Sequence, residues 1–155
     1  MKEVIEEFYT AFQNKDAEKM VSFYHDDIEF TDPAFGDLKG EHAKNMWRML
    51  IARGADLKLE FSNVSADENS GKAHWEAQYT FTQTGRLVLN KIDAEFTFKD
   101  GKIIRHVDTF NLHTWAKQAL GFKGLLIGGT NFFQRKLNTQ ANQRLVKYEM
   151  KNGKA

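Results

Sequence analysis

Apolar and polar positions follow two different periods along the chain. Val4, Phe8, Ala11 and Phe12 recur at the spacing of one helix face, which predicts an amphipathic helix over residues 3–13. Asn14 and Lys15 break the pattern, and Asp16 is placed to cap a second helix whose inner face is Met20, Phe23 and Tyr24. The period then falls to two. Ile28, Phe30 and Asp32 alternate with Glu29 and Thr31, which predicts a strand that Pro33 ends, because proline has no N–H for a ladder. Gly36 and Gly40 predict a turn-rich loop, and residues 41–53 a third helix striped by Ala43, Met46, Trp47 and Leu50.

Four strands are predicted next, over residues 57–64, 72–82, 87–98 and 102–111. Their connections carry turn residues, and Asp100-Gly101 tolerates the positive φ of a tight hairpin. Helices first and consecutive hairpins afterwards predict an α+β domain, an antiparallel sheet with helices on one side. In the tail, residues 115–120 read as a helix that Gly121 terminates. Residues 124–129 are a short apolar patch between glycines. Thr130 or Asn131 caps a last helix with Phe132, Phe133, Leu137, Ala141, Leu145 and Tyr148 on one face and Arg135, Lys136, Arg144, Lys147 and Lys151 on the other. Residues 152–155 are expected to fray. This division gives a pocket domain over residues 1–113 and a helical extension of it over residues 114–155.

Alternation also assigns side chains to faces. Ala73, Trp75, Ala77, Tyr79 and Phe81 face inward, with His74, Glu76, Gln78 and Thr80 outward as a solvent or subunit surface. Asn90, Ile92, Ala94, Phe96 and Phe98 face inward on the next strand, and Ile104, His106, Asp108 and Phe110 on the last. Asp32, Tyr79, Asn90, His106 and Asp108 thus form a polar set among apolar neighbours. An inward carboxylate is costly unless paired or functional. His106 and Asp108, two apart on one strand, start roughly 7 Å apart on one face. Burial should raise the carboxylate pKa values. Asp32, His106 and Asp108 are therefore the catalytic candidates. Phe8, Phe12, Phe35, Trp47, Trp75, Tyr79, Asn90, Phe96 and Phe110 are candidates for contact with a ligand. His25, His42 and His113 read as surface residues. With no second inward histidine, no metal site is expected.

Composition narrows the classes. The 155 residues suit one domain with a real core. Thirteen phenylalanines supply bulky apolar material for a core or cavity wall. A net charge of +1 argues against nucleic acid as obligatory partner, and the absence of cysteine excludes disulfides and thiolate chemistry. Residues 1–7 carry three glutamates and no apolar run, so no signal peptide is expected. No stretch has the apolar length of a membrane span, and a cytoplasmic location is the expectation. Residues 124–129 do not follow a strand with phosphate-loop spacing, and no cofactor is expected.

Phe30-Thr31-Asp32-Pro33-Ala34-Phe35-Gly36 resembles the nuclear transport factor 2-like superfamily, which includes ketosteroid isomerases, limonene epoxide hydrolases and SnoaL-like polyketide cyclases. The resemblance extends through Lys15-Asp16 and Tyr24-His25-Asp26-Asp27 to Arg105-His106-Val107-Asp108-Thr109-Phe110, about residues 3–113. Trp115 with Gln118-Ala119-Leu120-Gly121 is similar to a bacterial SnoaL-like subgroup. The resemblance implies a cone of three helices against a curved antiparallel sheet, usually a homodimer through the sheet. Asp32 stands where ketosteroid isomerases keep a general base, and Asp108 where SnoaL-like cyclases place an acid/base Asp. The chain departs from the isomerases at their oxyanion hole, where Phe8 replaces the helical Tyr, with Tyr9 one step away. Ala94 replaces the protonated Asp there. Together these imply acid/base work on a small hydrophobic carbonyl compound, with a non-catalytic ligand carrier or a dimeric scaffold as alternatives.

Overall fold

The computed structural model describes residues 1–152; the expected fraying otherwise lies outside the described residues. Helix α1 (Lys2–Gln13) buries Ile5, Phe8, Tyr9 and Phe12. Helix α2 (Ala17–Ser22) starts at Asp16, whose carboxylate accepts from the Lys19 amide and so satisfies one free N–H of the first turn. Strand β1 (Tyr24–Asp32) begins earlier than the alternation predicts. Tyr24 belongs to it rather than to α2, because its backbone lies beside Ile103. Gly36–Lys39, predicted as loop, is a short edge strand β2 paired with β1, with Asp32 opposite Gly36. Helix α3 (Gly40–Arg53) follows.

Strands β3 (Lys58–Ala66), β4 (Ser70–Phe81), β5 (Arg86–Lys99) and β6 (Lys102–Thr109) form an antiparallel meander. Asp100 and Gly101 both have positive φ, so the two-residue β5–β6 turn has the backbone that the dipeptide predicts. The six-stranded order is β2-β1-β6-β5-β4-β3, and β1 runs parallel to β6. The sheet is therefore mixed where a purely antiparallel one is expected, because β1 joins the meander from the other end of the sequence. A register shift beside Phe98 places Ile103 inside and pushes Ile104 off the inner face. Parity is restored by His106.

The concave face packs on α1 and α3. Trp47, Tyr9, Phe8, Phe12 and Phe30 are almost wholly buried there, each contributing on the order of 1.5–3 kcal/mol. Helices α4 (Leu112–Leu120), α5 (Phe122–Ile127) and α6 (Asn131–Lys151) complete the molecule. The patch predicted between glycines is thus helical. Gln118 on α4 donates to the Leu89 carbonyl and accepts from the Leu89 amide, occupying the strand edge that β6 leaves open. Helix α6 buries Phe133, Ala141 and Leu145, whereas Phe132 points to solvent, one position round the helix from that face. Glu149 anchors its far end on Asn45 and on His42, which is a partly buried anchor rather than a free surface residue. His113 likewise ties α4 to α5 through the Leu125 carbonyl. Among the described residues no helix is long and apolar enough to cross a membrane.

Candidate active site

A cavity of about 750 Å³ opens between the concave sheet, α3 and the tail helices. Phe12, Phe35, Trp47, Trp75 and Phe110 give it a largely apolar wall, broken by Asp32, Tyr79, Asn90 and Asp108. Trp115 on α4 and Leu137, Ala141 and Arg144 on α6 border it as well.

The two carboxylates arrive on neighbouring parallel strands. Thr31 lies beside Val107, so one residue further in that register brings Asp32 beside Asp108, with strands about 5 Å apart. Asp32 Oδ1 accepts from the amides of Ala34 (3.0 Å) and Phe35 (2.6 Å), an Asx turn closed by Pro33. Its Oδ2 makes no hydrogen bond among the described residues. Burial pushes this carboxyl up to about 7; the Phe35 amide opposes the shift and the charge of Asp108 adds to it. Asn138 and Asn142 of α6 donate to the carbonyls of Pro33, Ala34 and Phe35, so the tail helix holds the Asp32 turn from outside.

Asp108 ends a buried chain of hydrogen bonds. Trp47 Nε1 donates to the Tyr24 hydroxyl (2.8 Å), which pairs with His106 Nδ1 (2.7 Å); His106 Nε2 pairs with Asp108 Oδ1 (2.9 Å). An indole N–H can only donate, so the Tyr24 proton is directed to Nδ1. That nitrogen accepts, and the proton of a neutral imidazole sits on Nε2, facing Asp108. Trp75 Nε1 also approaches Asp108 Oδ1 (3.3 Å). Both donors act on one oxygen, and Asp108 Oδ2 has no partner among the described residues.

His106 does not reach the cavity. It is fully buried behind Asp108, enclosed by Phe8, Phe30, Trp47 and Phe96. Phe8 and Phe96, expected to touch a ligand, instead wall in this imidazole, because they pack on each other between α1 and β5, away from the cavity. Phe12, Phe35, Trp47, Trp75, Tyr79, Asn90 and Phe110 do border the cavity. Neither Phe8 nor Tyr9 supplies a cavity hydroxyl. Tyr9 is buried with its hydroxyl unpartnered among the described residues, and burial raises its pKa well above the usual value. Ala94 lies directly opposite Asp108 across the β5–β6 ladder.

Sequence reasoning missed three participants. Tyr24 continues the apolar spacing of α2, yet its place in β1 beside Ile103 brings its hydroxyl to His106 Nδ1. Trp115 donates to the Tyr79 hydroxyl (2.7 Å), which leaves the Tyr79 proton free for the cavity; burial raises the pKa of that phenol. Arg144 reaches the mouth from α6 and meets the amide oxygen of Gln83 in the β4–β5 turn, once that amide is turned to accept. The basic face of α6 was the one signal for it. No cluster of three or more histidine or acidic side chains among the described residues is arranged to hold a metal.

A curved sheet around a pocket, with helices on its concave side, is the nuclear transport factor 2-like architecture. Solved structures bear this out. TerC co-crystallised with polyporic acid is 20% identical, at a TM-score of 0.63 over 75% of this chain and 95% of that one. A protein of ketosteroid isomerase-like fold from Catenulispora acidiphila, in complex with trimethylamine, is 11% identical with a TM-score of 0.66, covering 76% of this chain and 92% of that one. An epoxide hydrolase of the LEH-like kind from M. tuberculosis is 21% identical with a TM-score of 0.58, covering 81% of this chain and 89% of that one. At such identities the likeness is one of fold. The SnoaL-like domain family matches residues 5–106, and the chain belongs to that family. No curated protein matches it.

Proposed function

We propose that the protein is a cofactor-independent acid/base enzyme of the cyclase or isomerase type, acting on a small, mostly apolar carbonyl compound. The observation that carries this reading is the pair of carboxylates on one apolar cavity wall, each with one oxygen held by the protein and the other uncommitted. Asp108 Oδ2 takes a proton from the carbon next to the carbonyl. His106 and Trp75 hold Oδ1, which leaves Oδ2 for the ligand. Asp32, half protonated near neutrality, returns a proton to the oxygen or to the carbon skeleton. The Tyr79 hydroxyl, already accepting from Trp115, donates to the developing enolate oxygen, and Asn90 orients a second polar group. Structural neighbours crystallised with polyporic acid and with trimethylamine support a ligand-holding cavity in this fold. We further propose that the protein works in the cytoplasm as a homodimer through the outer sheet face of His74, Glu76, Gln78 and Thr80.

The test is turnover of a panel of enolisable apolar ketones and polyketide-like diketones, with Asp108→Asn as the control. Asn keeps the shape and removes the acid/base function. Turnover should fall by roughly two orders of magnitude or more, with binding largely kept. Normal turnover by the Asn variant would leave Asp108 a structural group and the protein a carrier of hydrophobic ligands.

A further inference from the structure

The tail carries a charge and exposure pattern that the pocket does not use. Between Thr109 and Tyr148 there is no Asp or Glu, while Lys117, Lys123, Arg135, Lys136, Arg144 and Lys147 are all cationic. The whole chain is only +1, so the remainder is net acidic and the positive charge is concentrated here.

Helix α5 lies with its apolar face outward. Gly124 and Gly128 form its inner side, where a Cβ at either position would collide with Ala116 of α4. Phe122, Leu125 and Leu126, at i, i+3 and i+4, make one stripe on the opposite side and are 74%, 47% and 65% exposed. Just beyond, Phe132 at the start of α6 is 63% exposed. Arg135 and Lys136 follow it at i+3 and i+4, on the same face of α6, and both are exposed. A helix with its glycines packed inward and its phenylalanine and leucines in water is unfavourable unless something covers the stripe.

We propose that α5 and the first turns of α6 dock on an anionic lipid bilayer. Phe122, Leu125, Leu126 and Phe132 enter the headgroup boundary, with Lys123, Arg135 and Lys136 on the lipid phosphates. Apolar side chains ringed by charge of one sign are the pattern of an interfacial helix. The same charge argues against a second copy as the cover, since pairing this face with itself would bring its cations together. Docking here would set α4 and α6, which border the cavity mouth, against a reservoir of hydrophobic ligand. The inference stands independently of the chemistry at Asp32 and Asp108.

The test is co-sedimentation of the full chain with extruded vesicles of phosphatidylcholine alone and with about 30 mol % phosphatidylglycerol, a content giving a strong surface potential. The protein should bind the anionic vesicles and not the neutral ones, and release as salt rises. Phe122→Ser with Leu126→Ser should weaken partitioning by about tenfold or more. Arg135→Gln with Lys136→Gln should weaken it by about fivefold per charge at low salt. Circular dichroism checks that each variant is folded; if the serine variant is not, the charge variant decides. Absence of binding to anionic vesicles, or equal binding to neutral ones, would overturn the proposal. So would an assembly of wild-type chains that the serine substitutions dissolve, since the stripe would then be a protein interface.

Discussion

Replacing Tyr24 with phenylalanine removes one oxygen atom from the centre of the buried chain and leaves the ring in place. The hydroxyl accepts from Trp47 Nε1 and donates to His106 Nδ1. Tyr24 and Trp47 are 1% exposed and His106 is fully buried, so water cannot take over either bond without opening the core. Each of the two stranded groups costs about 1–3 kcal/mol, which puts the substitution at about 2–6 kcal/mol. A domain of this length loses about 2–4 °C in Tm per kcal/mol, so a fall of about 4–24 °C is expected by thermal denaturation followed by circular dichroism. Long-range nitrogen–proton NMR of wild-type protein should show a proton on His106 Nε2, facing Asp108, and Nδ1 accepting from Tyr24. A double-mutant cycle with Trp47→Phe should show coupling on the order of 1 kcal/mol, since the indole N–H is stranded only while its acceptor is missing. A Tyr24→Phe protein melting within about 2 °C of wild type would refute the hydrogen-bonded chain and, with it, the assigned tautomer.

Asp32 makes stability depend on pH in an unusual direction. Its folded pKa of about 7 lies above the unfolded value near 3.8, so its contribution is full below about pH 4 and is lost as pH rises through 7. Urea midpoints should fall by an amount equivalent to about 2–4 kcal/mol over that window. Asp32→Asn, which keeps the turn-capping oxygen, should flatten the profile; an unchanged slope would assign it to other groups. Gly124→Ala should cost about 1–3 kcal/mol and speed hydrogen exchange in α5, because the added methyl meets the Ala116 carbonyl. Sedimentation at micromolar concentration should give twice the chain mass, and a clean monomer would remove the proposed dimer.

The parts of this fold that sequence could give are the local ones. Helical spacing marks α1, α3 and α6, two-residue alternation marks the meander, and Asp100-Gly101 marks its tightest turn. The failures share a non-local cause. Phe23 and Tyr24 continue the apolar spacing of α2, and only Ile103, far along the chain, makes Tyr24 a strand residue. Ile104 obeys strict alternation on paper, but the register shift beside Phe98 displaces it. Residues 124–129 read only as an apolar patch between glycines, and it is the fit of Gly124 and Gly128 against α4 that turns the leucines outward. At the site, parity put Asp32, His106 and Asp108 on the inner side of the sheet. It carries no information about depth, so it could not separate the carboxylates at the cavity from the imidazole behind one of them.

The parallel pairing of β1 with β6 has a kinetic consequence. Tyr24 and His106 are 82 residues apart, and β2 to β5 are all made before β6, the second partner of β1, leaves the ribosome. Closing so long a loop is paid before any contact rewards it, so this pairing should be a late, rate-limiting event in folding. Until then Ile28 and Phe30 lie on a strand with an open edge, and a nascent chain paused short of residue 106 presents that edge to its neighbours on the same message. Variants that slow this closure would show themselves first as aggregation during synthesis, while the protein that does fold remains fully stable.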